Sequence, residues 1–410
     1  IIKGKKKLLG SINISGSKNA TLPILAAALL TNKVLILKNI PLVQDIHTMI
    51  NLLKFIGLNI EISKKLNTLK ISNNKELKTI APYSLLKTMR AGVLVLGPLL
   101  ARYKKAKVSL PGGCAIGARP VNLHLFALEK LGAKIKIKNG YIYASAKDGL
   151  KGSVIKFPSI SVGATENAIL AAVSASGKTI ISNCAIEPEI QDMIVFLKKL
   201  GCNINFVGKR KILIIGTKEF KRVTHEIIFD RIELGTYLIA AALVGEKIIF
   251  LKIKPKVIET EIKILKKMGV KIKVENNKIT VYKSDELKSI NIKTEPYPGF
   301  PTDLQAQIMV LMLKASGVSK ITENIFENRF MHVPELRRMG AKIITKKNIA
   351  HVTGPTNLSG AEVMATDLRA SVCLVLAALT ADNRTVINRV YHLDRGYENL
   401  EKKLKKCKAN

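Results

Sequence analysis

The residues best equipped for chemistry lie in Leu110-Pro111-Gly112-Gly113-Cys114-Ala115-Ile116-Gly117-Ala118-Arg119-Pro120, where a thiol stands close in sequence to a guanidinium. A nearby cation stabilises a thiolate, so Cys114 is a candidate proton donor or nucleophile and Arg119 its candidate activator. Three glycines and two prolines in eleven residues suit neither a helix nor a central strand, and the run reads as a loop. Loops held on a rigid scaffold are common places for chemistry. The same composition suits a tight turn with an incidental small hydrophobe, and both readings stand at this point.

A second group of residues sits at predicted helix starts. Ser17 ahead of Lys18-Asn19, Thr165, Thr302-Asp303 and Thr366-Asp367 all read as capping residues of apolar helices. Free N–H groups at such starts favour anions, and Lys18 and Arg369 stand beside two of them. A phosphate or carboxylate site is expected, with solvent-facing caps as the alternative for any single one.

These residues need a scaffold, and the chain repeats one. A Gly-[Ala/Leu/Cys/Val]-[Lys/Asn]-Ile phrase closes a Leu/Lys-rich helix at Leu53 to Ile60, Leu128 to Ile135, Leu197 to Ile204, Leu265 to Ile272 and Leu336 to Ile343, at spacings of roughly 70 residues. Ahead of each lies a small-residue apolar helix: 19–30, 85–100, 164–175, 233–243 and 302–314, with a sixth at 367–379 whose unit ends incompletely at Leu400–Cys407. Most are followed by a short β-rich run such as Val34–Leu37 or Thr385–Ile387, and strands such as Ala133-Lys134-Ile135-Lys136-Ile137 alternate as half-exposed strands do. Helices apolar all round must be buried, so sheets should cover them. Six units divide into two domains of three with a cleft between.

The totals set the bounds. A chain of 410 residues with 47% hydrophobic content supports two or three domains; aromatics are 5% and Trp is absent, so Ile, Leu, Val and Ala must build the cores. The net charge of +37 would suit nucleic acid, an anionic membrane or anionic small substrates. Lysine, however, is spread in short runs such as Lys5-Lys6-Lys7 and Lys198-Lys199, without basic–aromatic interleaving. Abundant Lys, Ile and Asn together match codon drift in an AT-biased genome, which is preferred here over nucleic-acid binding. Cys114, Cys184, Cys202, Cys373 and Cys407 are odd in number and lack paired spacing, which argues for a reducing compartment without disulfides or zinc. No apolar run is long enough to span a bilayer, and Ile1-Ile2-Lys3-Gly4-Lys5 lacks a signal-peptide core. The expectation is a soluble cytoplasmic protein.

Eight motifs in order then point to a family: Ile14-Ser15-Gly16-Ser17-Lys18-Asn19-Ala20; Lys87-Thr88-Met89-Arg90-Ala91; the Cys114 loop; Ser161-Val162-Gly163-Ala164-Thr165; Gly299-Phe300-Pro301-Thr302-Asp303; Phe326-Glu327-Asn328-Arg329-Phe330-Met331-His332; Ala365-Thr366-Asp367-Leu368-Arg369-Ala370; and Asp394-Arg395-Gly396-Tyr397. Over essentially its whole length the sequence resembles the UDP-N-acetylglucosamine branch of the enolpyruvyl transferases. The Cys114 loop separates that branch from the shikimate-pathway relative. The resemblance implies an α/β fold, a two-domain inside-out barrel of six βαβαββ-like repeats with helices inside and sheets outside. It implies one domain of residues 19–227 and another of residues 1–18 plus 228–410, with the active site in their cleft.

The implied reaction moves the enolpyruvyl group of phosphoenolpyruvate onto the 3-hydroxyl of UDP-N-acetylglucosamine and releases phosphate, by addition and elimination through a tetrahedral ketal. By the same resemblance Cys114 is the general acid, Asp303 the base and Lys18 a third catalytic group. Lys18, Asn19, Arg119, Arg329, Arg369 and Arg395 are implied for phosphoenolpyruvate. For the nucleotide sugar they are Asn19, Arg90, Arg119, Pro120, Val121, Asn122, Leu123, Ser161, Val162, Gly163, Asp303 and Ile325. No metal or other cofactor, nucleic acid or membrane is called for. Three positions depart from the family pattern: Asn122 replaces an Asp found in some members, Ser159 a Lys, and Ile186 an Arg. They bear on affinity, since none removes a catalytic group.

Overall fold

The computed structural model describes residues 1–5, 7–73, 75–112 and 121–407. These fall into two compact units, one of residues 16–112 and 121–228, the other of residues 1–15 and 229–407. Each has its own apolar core.

Three sheets lie in each unit, and five of the six share one plan. A strand that follows an apolar helix takes the centre. On one side it pairs in parallel with a short strand, and on the other with an antiparallel hairpin. In the first sheet Leu35–Lys38 pairs in parallel with Val223–Glu226 and antiparallel with Thr68–Ser72. The second and third are centred on Lys105–Ser109 and Lys178–Ser182. In the other unit Gly245–Leu251 pairs in parallel with Leu8–Ile12, and Ala315–Thr322 centres the next sheet. Among the described residues the sixth sheet has no hairpin. Arg384–Asn388 pairs in parallel with Glu362–Met364 and antiparallel with Ile2–Lys3, so the start of the chain fills the place that the incomplete unit leaves open.

Local chemistry accounts for the hairpins and helix ends. Lys134–Lys138 runs antiparallel to Tyr141–Ser145 through Asn139-Gly140, both at positive φ (51° and 73°), the turn geometry that matches strand twist. The repeated phrase has a conformational reason as well. Its glycines, Gly57, Gly132, Gly201, Gly269 and Gly340, all sit at φ between 91° and 128°, just past a helix end, where a side chain would be strained.

The apolar helices are buried almost all round. In Lys18–Ala27 every residue but Asn19 is buried, and Gln305–Met312 is buried throughout. Arg231–Val244 is buried through Ala241, and Leu368–Thr380 supplies Val372 to Leu379 to the same core. One predicted helix is interrupted. Residues 85–100 form a short helix Tyr83–Leu86, a 3-10 turn Arg90–Val95 and a helix Leu96–Tyr103. Close packing explains part of this: a Cβ on Gly92 would stand 2.8 Å from Leu86 Cγ, and one on Gly97 would stand 2.3 Å from Asn167 Oδ1. The apolar pattern marks burial, while Gly92, Gly97 and Pro98 weaken continuous helix.

Candidate functional site

In the unit of residues 16–228, Lys18 opens its buried helix. Ser17 caps that helix, its hydroxyl accepting from Ala20 N at 3.3 Å, while Ser17 N donates to the Ile228 carbonyl at 2.7 Å. The Lys18 ammonium donates to Asp45 Oδ2 at 3.1 Å, with both side chains more than nine-tenths buried. Asp45 lies in the first turn of Gln44–Ile56, where a carboxylate suits the helix dipole. Pro23 has no N–H to offer the Asn19 carbonyl, which is therefore left without its usual intrahelical partner.

A second cluster in this unit gathers around Ser161. Its hydroxyl accepts from Ala164 N at 3.3 Å, so Ser161 is the cap and Val162 and Gly163 form the first turn. Thr165, expected as a cap, lies inside the helix. It donates to the Ser161 carbonyl at 2.8 Å and accepts from Ala185 N at 3.0 Å. Beside Gly163 stands a residue that the motifs did not single out. A Cβ on Gly163 would be 3.3 Å from His124 Nε2, and His124 Nδ1 meets the Asn167 amide nitrogen at 3.1 Å. Asn167 Oδ1 already accepts from Gly97 N, so its nitrogen donates and His124 keeps its proton on Nε2. Burial, helped by the Arg90 cation, lowers the His124 pKa to about 4, and the ring is a neutral donor near Gly163. Its adjacency to the 119–123 run was the available signal. Val121 is buried as the residue before the Asn122–Lys130 helix, Asn122 and Ser159 are exposed, and Leu123 and Ile186 are half-buried.

Acidic residues also gather here unannounced by any motif. Burial, then Glu189 and Glu187, push the Glu166 carboxyl well above the usual range, towards the neutral acid. The signal in sequence was only a lone Glu within an apolar helix.

In the unit of residues 229–407, Asp303 is the centre. Its Oδ1 accepts from Arg329 Nη2 at 2.9 Å and its Oδ2 from Arg369 Nη2 at 3.2 Å. Both guanidiniums are buried and the carboxylate is partly exposed. Two guanidiniums fixed on one partly exposed carboxylate present further N–H donors, which suit a carboxylate or phosphate. Arg329 stacks against Phe326 at 5.6 Å and Arg369 against Tyr397 at 5.4 Å. Burial opposes charge on Arg369, but Tyr397, Asp303 and Asp230 outweigh it and raise its pKa. At neutral pH the two carboxylates carry that effect, since burial raises the Tyr397 pKa and keeps the phenol protonated.

The expected capping role of Asp303 is not observed. Thr302–Leu304 is a 3-10 turn with Pro301 at the cap and no side-chain cap bond; Asp303 lies within the turn, and its two carboxylate oxygens accept from Arg329 and Arg369. Asp367 does cap, Oδ1 accepting from Arg369 N at 2.8 Å. Arg395 ends the Val390–Arg395 turn and is half-buried, as is Ile325. Cys114, Arg119 and Pro120 lie outside the described residues. Gly112, the last described residue before them, packs on Lys87: a Cβ there would stand 2.5 Å from the Lys87 carbonyl oxygen.

Among the described residues, Cys184, Cys202, Cys373 and Cys407 are free and buried, and burial pushes the Cys184 and Cys202 thiols up to about 11 and about 12. They are poor nucleophiles. No group of His, Cys, Asp or Glu among the described residues is arranged to hold a metal ion, and no described helix is long and apolar enough to cross a membrane.

The fold agrees with comparison to known proteins. Residues 2–404 match the family model described as EPSP synthase (3-phosphoshikimate 1-carboxyvinyltransferase), and the chain belongs to this enolpyruvyl transferase family. It is 61% identical over 406 residues to the UDP-N-acetylglucosamine 1-carboxyvinyltransferase of Pelagibacter ubique, covering 99% of this chain and 97% of that one. It is 51% identical over 410 residues to the protein of the same name from Endomicrobium trichonymphae, covering 100% and 98%. Among solved structures it superposes on the enolpyruvyl transferase NikO from Streptomyces tendae with TM-score 0.90 at 23% identity, covering 100% of this chain and 97% of NikO. The EPSP synthase of Acinetobacter baumannii follows with TM-score 0.77 at 17% identity, covering 100% and 98%. At those identities the likeness concerns the fold.

Proposed function

We propose that this chain transfers the enolpyruvyl group of phosphoenolpyruvate to the 3-hydroxyl of UDP-N-acetylglucosamine with release of phosphate, the committed entry to peptidoglycan synthesis in the cytoplasm. The observation that carries the chemistry is one carboxylate, Asp303, held by two buried guanidiniums, Arg329 and Arg369. The full-length 61% identity to a relative named for this reaction supports the choice of acceptor.

In this reading Cys114 protonates C3 of phosphoenolpyruvate, and C2 becomes electrophilic. The sugar 3-hydroxyl attacks C2 while Asp303 takes its proton, giving the tetrahedral ketal. Loss of a C3 proton and of phosphate then restores the enol ether. Arg329 and Arg369 receive the substrate carboxylate, and Lys18, Asn19, Arg119 and Arg395 the phosphate, so that developing charge meets fixed cations. Arg90, Arg119, Pro120, Val121, Asn122, Leu123, Ser161, Val162, Gly163, Asp303 and Ile325 form the nucleotide-sugar site, to which His124 adds a neutral donor. The six sheets and their buried helices are read as six repeats of an inside-out barrel, three in a domain of residues 19–227 and three in a domain of residues 1–18 plus 228–410, with catalysis in the cleft.

The test is phosphate release from phosphoenolpyruvate in metal-free buffer, offered UDP-N-acetylglucosamine or shikimate 3-phosphate. Release with the nucleotide sugar alone is expected, and turnover of shikimate 3-phosphate instead would overturn the assignment. Cys114→Ser should largely inactivate the enzyme. Cys114→Asp, which retains an acidic proton, should turn over but resist thiol-reactive epoxides. A fully active serine variant at neutral pH removes the thiol from the acid role.

A further inference from the structure

Glu323 is buried, belongs to none of the predicted substrate contacts, and has an unusually full set of partners. Its Oε1 accepts from the Thr294 hydroxyl at 2.9 Å, from Ile325 N at 2.9 Å and from Phe326 N at 3.2 Å. Its Oε2 accepts from the Thr302 hydroxyl at 2.9 Å. Glu323 is fastened in turn, since its own N–H donates to the Asn348 carbonyl at 2.8 Å and its carbonyl accepts from Asn348 Nδ2 at 3.2 Å.

These bonds join three segments. Thr294 follows the strand Asn291–Lys293, Thr302 immediately precedes Asp303, and Ile325 and Phe326 begin the stretch that ends at Arg329. Phe326 is also the ring against which the Arg329 guanidinium lies. Arg329 reaches back to the Thr302 carbonyl at 3.4 Å as well as to Asp303. One carboxylate therefore holds both the residue before Asp303 and the residues that lead to its arginine partner. A hydroxyl or amide at this place has fewer acceptor lone pairs than a carboxylate for four converging donors.

We propose that Glu323 is a positioning residue for the reaction, setting the spacing of Asp303 against Arg329 by gathering Thr294, Thr302, Ile325 and Phe326 onto one buried carboxylate. This rests on the assignment of Asp303 and Arg329 to the transfer reaction above. The carboxylate touches no substrate; it acts through the two segments it joins. Small displacements of a reacting group from its productive geometry are costly in rate, which is why a second layer of fixed bonds matters.

The test uses the full chain with Glu323→Ala, Glu323→Gln and Thr302→Val, following phosphate release with UDP-N-acetylglucosamine and amide hydrogen exchange at Ile325 and Phe326. Glu323→Ala should lower kcat by roughly 100-fold, the scale of a displaced catalytic geometry, and raise KM for phosphoenolpyruvate. Its Ile325 and Phe326 amides should exchange at least about tenfold faster, as expected when a protecting bond is lost. Glu323→Gln keeps an accepting oxygen for the backbone, and the Thr302 hydroxyl can turn to accept from its amide, so it should recover to within about threefold of wild type. Thr302→Val cuts only the arm to Asp303 and should lower kcat by about tenfold with both KM values nearly unchanged. Here kcat is referred to the folded concentration measured by circular dichroism, because lost folded protein alone would give the same kinetic split. Equal losses in the alanine and glutamine variants, or wild-type kcat in Thr302→Val, overturn the proposal. Should Glu323→Ala fail to fold, the other two variants decide. A wild-type chain that releases no phosphate defeats the assigned reaction instead, while the exchange rates still decide whether Glu323 holds the two segments.

Discussion

The two units share a sheet plan and buried apolar helices, yet they begin those helices differently. In the unit of residues 16–228, Ser17 and Ser161 cap neutrally, each hydroxyl accepting one N–H at 3.3 Å, with no acidic residue in either first turn. In the unit of residues 229–407, Asp230 accepts from Ile232 N and Glu233 N at 2.8 and 2.9 Å, and Asp367 from Arg369 N at 2.8 Å. Charged caps make shorter and stronger bonds, but they also cancel the positive end of the helix. Neutral caps leave that field available for an anion. The first unit therefore offers helix starts together with Lys18, whereas the second relies on the guanidiniums that Asp303 holds in place. Similar scaffolds supply positive charge by two routes.

The largest expected break in this comparison is Asp303→Asn. Loss of a general base costs on the order of 10³-fold in kcat, while the remaining arginines keep phosphoenolpyruvate binding. Steady-state kinetics beside direct binding would check this, and a variant within tenfold of wild-type kcat would remove Asp303 from that role.

Exchanging one cap for the other kind is a smaller perturbation. Ser161→Asp should tighten the cap and slightly raise thermal stability, yet weaken UDP-N-acetylglucosamine by about tenfold, the scale of one charge at a helix terminus in a partly buried site. Unchanged nucleotide-sugar affinity in a calorimetric titration would show that the Ser161 helix start contributes no field to binding.

The smallest effect concerns pH. Glu233, in the first turn of its helix, faces opposing influences. Burial favours the neutral acid, while Lys403 at 2.5 Å and the Ser15 amide at 2.7 Å favour the carboxylate. Burial prevails, and the pKa rises to about 7. The folded chain then binds more protons than the unfolded one between about 4.5 and 7, so this group's contribution to stability falls as pH rises through that window. His124 and His332, both lowered to about 4 by burial, act oppositely and withdraw stability as pH falls below 6.5. Glu233→Gln should isolate the first effect: the wild-type unfolding free energy minus that of the variant should fall by on the order of 1 kcal/mol from pH 5 to 7, whatever the histidines add to both curves. Parallel curves in denaturant titrations would contradict it.

Sequence patterns reached some features and missed others for physical reasons. The repeated glycine phrase predicted helix ends because a left-handed residue has one obvious tenant, and five such glycines take that conformation. Cap positions are not set by residue type alone. Ser and Thr both suit a helix start, and only the backbone around Ser161 shows that Thr165 lies a full turn inside, bonded to the Ser161 carbonyl. The Lys18–Asp45 pair joins residues 27 apart, with Asp45 looking like an ordinary first-turn acid. Glu323 carried no visible signal, since a glutamate before a loop usually meets solvent.

By itself, the order of residues determined the alternation of apolar helices with short strands, the helix-ending glycines and the arginine-bearing motifs, because these follow from local backbone preference and from which faces shun water. Only the tertiary structure decided that Asp303 meets Arg329 and Arg369 rather than a helix amide, that His124 is neutral and that Glu323 gathers four donors. Each of those outcomes depends on burial and on groups brought together from distant parts of the chain. Charge and hydrogen bonding are settled by that surrounding space, which residue spacing along the chain does not contain.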